Sequence, residues 1–403
     1  MKCLLVNQFF PPDVAPTGRL LADVADYLVT CGHEVHVLCS RGLYGGGIVE
    51  RTDRCRQSLR IHRIGASARG RAGALDRLCD WGSFYALAWE RSTRLGRFDA
   101  CLALTTPPFI AAVGARLKRV WGTRLVVWAM DLWPEIAEAL GALRPDGATS
   151  RVLKTFARIT YERADAVLSL GWRMTERLVA SGVDERKIVP IHHWVPGESV
   201  RPMPREASLL GPSVRADPAF VLMYSGNLGL AHEFDTVLDA ASLLEREGGF
   251  LLLFAGEGKR LPEVREGARH RGLRNVRFMP PQPTEQLAGL LASADVHLVT
   301  MRPGVEGLVV PSKIYGILAA GRPAVLIGPA GNEIAELLSA SGGGIVIPNG
   351  DAAKLAEYLR RLRDRPELAA STGRSGRDYY QSHLGRDRAL PLIRAALEGS
   401  LPP

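Results

Sequence analysis

Short β-branched apolar runs alternate with helical patterns along nearly the whole chain, and this alternation constrains its fold more than any other feature. KCLLVNQF (2–9) and EVHVLC (34–39) enclose a helical pattern at 19–29, which reads as a βαβ opening. DACLALTT, RLVVWAM, DAVLSL and KIVPIH continue the series, each preceded by a helical stretch. Strands separated by helices of this length imply a parallel sheet covered on both faces. At 196–218 the period stops in PGESVRPMPREASLLGPSVRADP, rich in proline, serine and charge, which reads as a linker. The alternation then restarts with AFVLMYSG and FLLLFAGEG and runs on to GGIVI. A chain of 403 residues is too long for one core, and the pattern predicts two α/β domains of similar size. The expected boundaries are 1–198 and 199–375, with 376–403 as a terminal segment.

Every apolar stretch is broken by Arg, Lys, Asp or Gly, so none reaches the ~18 residues that a spanning helix needs. The opening MKCLLVNQFFPPD lacks a cleavage-site pattern and reads as the first strand of a cytoplasmic protein. The six cysteines stand singly, without C-x-x-C or clustered histidine, which signals neither a zinc site nor a disulfide framework. A formal net charge of +9 favours an anionic partner: nucleic acid, a phosphate-bearing ligand or an anionic membrane face. All seven tryptophans, Trp81 to Trp194, fall in the first half, so the halves have different jobs. The Arg-rich stretch 57–98 carries Trp81, Phe84, Tyr85 and Trp89 at helical spacing. Two readings follow: a buried aromatic face, or a surface resting on anionic headgroups.

In open parallel sheets, ligands bind beyond the carboxyl ends of the strands. Four such loops carry chemistry. In PPDVAPTGR (11–19), Thr17 and Gly18 precede a helix; they could present N–H groups to an anion, or Thr17 could be a plain N-cap. In YSGNLG (224–229), Gly226 allows close backbone approach beside Asn227. FAGEGKR (254–260) places Glu257, then the basic pair Lys259 and Arg260, on a glycine turn that is either a solvated loop or a phosphate clamp. RPGVEGLVVPSK (302–313) ends in Pro311-Ser312-Lys313 at a helix start. A lysine there meets charge of its own sign, a conflict that a bound anion removes; the alternative is a side chain extended into water.

In this order, GHEVHVL, YSGNLG, FAGEGK, NVRFMPPQP, ADVHLVTM and VPSKIYGILAAGRP resemble the retaining glycosyltransferases of family 4 over nearly the whole chain. DLWPE (131–135), YSGNLG and PSKIYGILAAGRP look most like the branch that adds amino sugars of the fucosamine type in bacterial surface-polysaccharide assembly. The resemblance implies an α/β fold of two Rossmann-like domains facing across a cleft, the GT-B arrangement. A C-terminal helix returning to the first domain is expected within 376–396. The co-substrate implied is a nucleotide sugar, expected to be UDP-linked, with no bound cofactor. The sugar implied is an N-acetylated amino sugar. The acceptor is a glycan or a polyprenyl-diphosphate-linked sugar. Peripheral contact with the anionic inner face of the plasma membrane and no nucleic-acid partner complete the expectation.

By the same resemblance, Lys313, Ser312, Gly226 and Asn227 lie at the diphosphate, Glu257 and Lys259 near the nucleotide, and Pro281 and Gln282 where the base is read through backbone groups. Thr17 and Gly18 close over the diphosphate from the first domain. Two positions depart from the family pattern. Of its spaced glutamate pair, the second falls on Gly316, and Glu306 lies about two residues upstream of the first; Met130 stands where many members have histidine. Asp131 then orients the acceptor hydroxyl or acts as its base, or else caps the turn at Trp133-Pro134. Retention implies attack on the face that the diphosphate leaves, and the absence of a D-x-D-like pair implies no divalent metal. Two rivals remain: a sugar-nucleotide epimerase recruiting His192, His193 and Glu306, and a basic nucleic-acid-binding protein. The second lacks an aromatic platform, a recognition-helix signature and a basic tail.

Overall fold

In the computed structural model, residues 1–401 are described except 45, 50–53, 57, 66–73, 196–199 and 211–218. The chain divides into two compact units. One comprises Met1–Pro196, Gly307–Val309 and Arg386–Pro403, and the other Gly197–Glu306 and Val310–Gly385.

The first unit is built on β1 (Lys2–Val6), β2 (Glu34–Ser40), β3 (Arg54–Arg56), β4 (Leu59–Ile64), β5 (Ala100–Leu104), β6 (Arg124–Trp128), β7 (Ala166–Ser169) and β8 (Ile188–Pro190). They form one sheet in the order β3-β4-β2-β1-β5-β6-β7-β8, parallel except for the β3/β4 edge pair. The Arg-rich stretch therefore opens as a strand, LRIHRI, set between the edge strand β3 and β2 and paired in parallel with β2, which the sequence reading did not foresee. The second unit holds β9 (Phe220–Ser225), β10 (Phe250–Ala255), β11 (Val276–Met279), β12 (Val296–Thr300), β13 (Ala324–Ile327) and β14 (Gly344–Ile347). Their order is β11-β10-β9-β12-β13-β14, with every pairing parallel.

Strands such as ACLAL and AVLI are buried at every position because helices cover both faces of the sheets, which is why they read as continuous apolar runs. The strand order reverses between β1 and β5 in one sheet and between β9 and β12 in the other. Loops on either side of such a switch point diverge and leave a crevice at the carboxyl ends.

One expected boundary shifts, and the expected linker is partly docked. The described part of the expected linker is docked: Arg205 Nη1 donates to both carboxylate oxygens of Asp295 at 2.8 and 3.0 Å, and the Leu209 N–H donates to the Gly289 carbonyl at 3.0 Å. Residues 196–199 and 211–218 of that linker lie outside the described residues. The boundary at 375/376 falls inside the helix Pro366–His383, which stays with the second unit. Glycines hold it there: a Cβ on Gly373 would lie 2.1 Å from the Gly321 carbonyl oxygen, and one on Gly376 2.7 Å from Leu318 Cδ2. The chain rejoins the first unit with the helix Arg386–Glu398, whose Ala396 carbonyl accepts from Arg124 Nε at 2.7 Å.

Alanine normally favours a helix interior over glycine by up to ~1 kcal/mol. At residue 373 the backbone contact inverts that sign, and Gly373→Ala is expected to destabilise the protein by about 1–3 kcal/mol in urea denaturation. A stabilised variant would show that the helix does not depend on this contact.

Candidate functional site

In the second unit, the last residue but one of β9 is Tyr224, which is fully buried and packs edge-on against Phe234, with ring centroids 5.0 Å apart. Its hydroxyl donates to the Asn227 carbonyl at 2.8 Å, fixing the turn that follows. Lys313, first residue of the helix Lys313–Ala319, sets its Nζ 3.2 Å from the centre of the Tyr224 ring. That Nζ is buried and has no hydrogen-bond partner among the described residues. Desolvation holds its pKa well below the ordinary lysine value. The alternative of a side chain extended into water does not hold: Lys313 is turned inward, over an aromatic face that compensates only part of the lost hydration.

Gly226 adjoins it. With φ +120°, a conformation that disfavours side chains, Gly226 would place a Cβ 3.9 Å from Nζ. The β9 and β10 turns interlock beside the ammonium. The Leu228 N–H donates to the Glu257 carbonyl at 2.7 Å, and a Cβ on Gly258 would lie 2.4 Å from the Leu228 oxygen. Glycine at 256 and 258 thus lets the two loops run in contact.

The structure brings together Lys313, Gly226 and, through backbone, Asn227 and Glu257. The Glu257 and Lys259 side chains are exposed and in no ion pair among the described residues. Arg260, the other half of the expected clamp, is committed elsewhere: Nε donates to Glu263 at 2.8 Å and Nη1 to the His232 carbonyl. Ser312 is exposed and makes no side-chain cap. Pro281 is exposed, and Gln282 Nε2 donates to the Pro280 carbonyl at 2.8 Å within its own turn. Glu306 Oε2 accepts from the Gly304 N–H at 2.8 Å and fastens its own loop.

His232 was missed in the sequence. Its Nδ1 lies 2.7 Å from the Thr300 carbonyl and therefore carries the proton. Burial first, then the charges of Lys313 and Arg260, push its pKa down to about 3. It is a neutral imidazole at physiological pH, whose Nε2 can accept a hydrogen bond but which adds no charge. The signal was LGLAHEF directly after the glycine turn, where a polar residue stands among apolar ones.

In the first unit a cavity of about 180 Å³ opens at the carboxyl ends of the strands, lined by Gln8, Thr105, Trp81, Trp133, Asp80 and Asp131 among others. Trp81 and Trp133 meet edge-on at 6.2 Å. Thr105 Oγ1 accepts the backbone N–H groups of Met130 at 2.9 Å and Asp131 at 3.2 Å. The 307–309 stretch pairs with the same turn, Leu132 N–H to the Leu308 carbonyl at 2.9 Å. The Asp131 carboxylate makes no hydrogen bond among the described residues, so it does not cap the Trp133-Pro134 turn; burial raises its pKa to about 6.

Thr17 is not an N-cap: the helix Pro16–Thr30 starts one residue earlier, and Thr17 Oγ1 accepts from Asn7 Nδ2 at 3.4 Å. Gly18 N–H donates to the Ala15 carbonyl at 3.1 Å and is not presented to an anion. Glycine is needed at 18 for packing, since a Cβ would lie 2.9 Å from the Phe9 carbonyl carbon. His193, offered to the epimerase reading, packs edge-on to Trp128 at 6.3 Å in the core, where burial lowers its pKa to about 4.

Two protein families match in tandem. Residues 17–194 match the glycosyl transferase 4-like domain, and residues 219–365 match glycosyl transferases group 1. The probable glycosyltransferase WbjE of Pseudomonas aeruginosa is 28% identical over 77% of this chain and 78% of its own. The putative colanic acid biosynthesis glycosyl transferase WcaI of Escherichia coli K12 is 25% identical, covering 84% and 86%. Among solved structures, sucrose-phosphate synthase from Thermosynechococcus elongatus superposes with a TM-score of 0.77 at 16% identity, covering 99% of this chain and 98% of its own. Anabaena HepE, in complex with UDP and glucose, gives 0.74 at 14% identity, covering 99% and 100%. These likenesses establish the fold, two parallel-sheet α/β domains of the GT-B class.

The Lys313 environment has a pH signature. With the folded pKa depressed, the unfolded chain holds more protons between that value and the ordinary ~10.4, so ligand-free stability rises with pH across the window. Lys313→Met should raise ligand-free stability at neutral pH by about 1–4 kcal/mol, because it removes a buried amine that has no hydrogen-bond partner among the described residues, and should flatten that pH slope. Denaturation at several pH values checks both; a less stable variant with the slope intact would sink the assignment.

Proposed function

The chain is a glycosyltransferase joining a 4-like domain to a group 1 domain, and we propose that it transfers an N-acetylated amino sugar from a UDP-linked donor, with retention, to a glycan or polyprenyl-diphosphate-linked acceptor. The observation that carries this reading is the buried, unpartnered ammonium of Lys313 beside Gly226. A diphosphate supplies the missing partner there, and the Gly226, Gly256 and Gly258 turns let its oxygens approach the backbone.

As the anomeric bond breaks, negative charge grows on the leaving diphosphate. An ammonium held in place before the reaction stabilises that charge without reorganising solvent. The acceptor hydroxyl attacks the face that the diphosphate leaves, and its proton passes to a diphosphate oxygen. Asp131, in the first unit's cavity, accepts the acceptor's hydrogen bond and orients it, while Trp81 and Trp133 offer apolar faces to a sugar ring. Lys313 supplies the positive charge without a resident divalent metal, in keeping with the lack of a D-x-D-like pair. The amino-sugar assignment rests on DLWPE, YSGNLG and PSKIYGILAAGRP; UDP is favoured because the structurally similar HepE is solved with UDP.

The reading includes peripheral membrane contact. No helix among the described residues is long and apolar enough to cross a bilayer. In the stretch 57–98, Phe84 is buried, Trp81 packs on Trp133, and Trp89 lies under the Arg116 guanidinium at 4.7 Å. Leu78 and Trp89 of that stretch stay 58% and 46% exposed, and a further exposed apolar stripe lies on the helix Ala148–Arg163: Val152, Phe156 and Ile159 recur at helical spacing, 68%, 43% and 37% exposed, among Arg151, Lys154 and Arg158. That pattern suits a helix lying at an anionic interface.

Three outcomes follow. UDP should raise the melting temperature more than GDP or ADP, by the equivalent of about 2.7 kcal/mol at a hundredfold excess over Kd, and Lys313→Ala should abolish the response; silence across the panel in folded protein overturns the donor reading. Turnover should fall as pH drops through about 6, and Asp131→Asn should cost roughly 10²-fold or more in kcat and remove that limb. The protein should float with phosphatidylglycerol vesicles at low salt, and Phe156→Ser with Ile159→Ser should reduce flotation; equal flotation of the variant excludes this helix as the contact.

A further inference from the structure

A second cavity of the first unit, about 250 Å³, has the opposite chemistry to the one that holds Asp131. Its charged lining is Arg41, Arg63, Arg91 and Arg94 against a single carboxylate, Glu90. Arg94 is paired with Glu90 at 2.7 Å, whereas Arg41, Arg63 and Arg91 are in no ion pair among the described residues. Arg63 is only 5% exposed; one nitrogen reaches Cys39 Sγ at 3.5 Å and another the Pro11 carbonyl, both neutral. A buried guanidinium with no counter-charge among the described residues, beside three more around one cavity, is costly unless an anion completes the set.

The local fold explains the convergence. β2 and β4 pair in parallel with Cys39 opposite Arg63 and Ser40 opposite Ile64, so Arg63 stands at the carboxyl end of β4 and Arg41 just beyond β2. The Arg41 N–H donates to the Ile64 carbonyl at 2.8 Å, holding the two strand ends together. Arg91 and Arg94 come from the last turn of the helix Ala74–Arg94. Arg94 is held by Glu90 and Arg63 by Cys39 and Pro11, which leaves the Arg91 guanidinium and the Arg41 terminal nitrogens to meet phosphate oxygens in the positive field of all four. The volume, against about 30 Å³ for one water, has room for a diphosphate.

The two cavities share a wall. Ser40 and Gly42 line the Asp131 cavity, and Arg41 between them lines the arginine cavity. The helix Ala74–Arg94 contributes Asp80 and Trp81 to one, and Glu90, Arg91 and Arg94 to the other. The Asp131 cavity has two carboxylates and no basic side chain in its lining, so it repels phosphate and accepts a neutral polyol. A ligand with a sugar joined to a polyanion fits the pair as neither cavity alone does.

We propose that the cavity lined by Arg41, Arg63, Arg91 and Arg94 binds the phosphate or diphosphate of a lipid-borne ligand, seating the charged end of the acceptor whose sugar occupies the neighbouring cavity. The assignment of the ligand as acceptor rests on the transferase reading above; the anion site stands on its own geometry.

The test uses the full chain with saturating UDP, so that Lys313 is occupied, and calorimetric titration with farnesyl diphosphate. The Arg41→Ala/Arg91→Ala variant spares Arg63, which supports its surroundings, and UDP binding checks its fold. The expected result is at least tenfold weaker farnesyl diphosphate binding with UDP affinity unchanged. Equal affinity in wild type and variant, or no binding by wild type, overturns the proposal. A second arm separates the two sources of the phosphate: displacement of farnesyl diphosphate by phosphatidylglycerol vesicles assigns the cavity to a headgroup, and vesicle binding without displacement assigns it to the acceptor diphosphate. Failure of UDP to bind at all would defeat the donor reading and leave the arginine cavity to be judged by the variant alone.

Discussion

The second unit is organised around one unfinished interaction: a lysine ammonium taken out of water onto the Tyr224 ring, with no anion to meet it. Burying a charge without a partner costs several kcal/mol, more than a cation–π contact of about 2 kcal/mol returns. The surroundings are built to hold that arrangement. Tyr224 is locked by Phe234 and by its own hydrogen bond, and the glycine turns leave open the side that a side chain at 226 would narrow. Such a site is stable in the fold and still short of one partner, which is what a binding site for an anion requires.

Sheet topology determines why those residues meet. Strand order reverses between β9 and β12, so the loops after these neighbours, YSGNLG and RPGVEGLVVPSK, leave the same end of the sheet and diverge. In the first unit the reversal lies between β1 and β5; the loops after both, with the one after β6, line the Asp131 cavity. Each unit therefore places its chemistry at the switch point, and glycine appears where two backbones press together there, as Gly18 does on Phe9 and Gly256 on Gly226.

What the sequence revealed follows from how local each signal is. The doubly buried strands, the two α/β units and the unusual placing of Lys313 were legible because period, apolar runs and a misplaced charge are properties of a few consecutive residues. The direction of a side chain was not. Lys259 and Arg260 look alike in the text, yet one is exposed and the other is spent on Glu263 and the His232 carbonyl. Thr17 reads as a cap because nothing nearby reveals that Asn7, ten residues earlier, takes its hydroxyl. The end of the second unit was misplaced because Gly373 and Gly376 mean close packing only once Gly321 and Leu318 are seen opposite them. The arginine cavity collects residues from two strands and a helix, and an Arg-rich composition could announce its charge but not its concavity.

The choice of cation at each anion site follows from what the site must do. A lysine is a compact point charge whose proton can leave when burial becomes too costly; a guanidinium stays charged at every accessible pH. At 313 the depressed pKa gives the empty site an escape, since the neutral amine is cheaper to bury than the ammonium. An anion placed beside the amine would favour its charged form, the opposite of what burial alone does. Arg63 and its neighbours have no such release. Their charge is constant, and they suit a ligand that must stay anchored while its other end reacts.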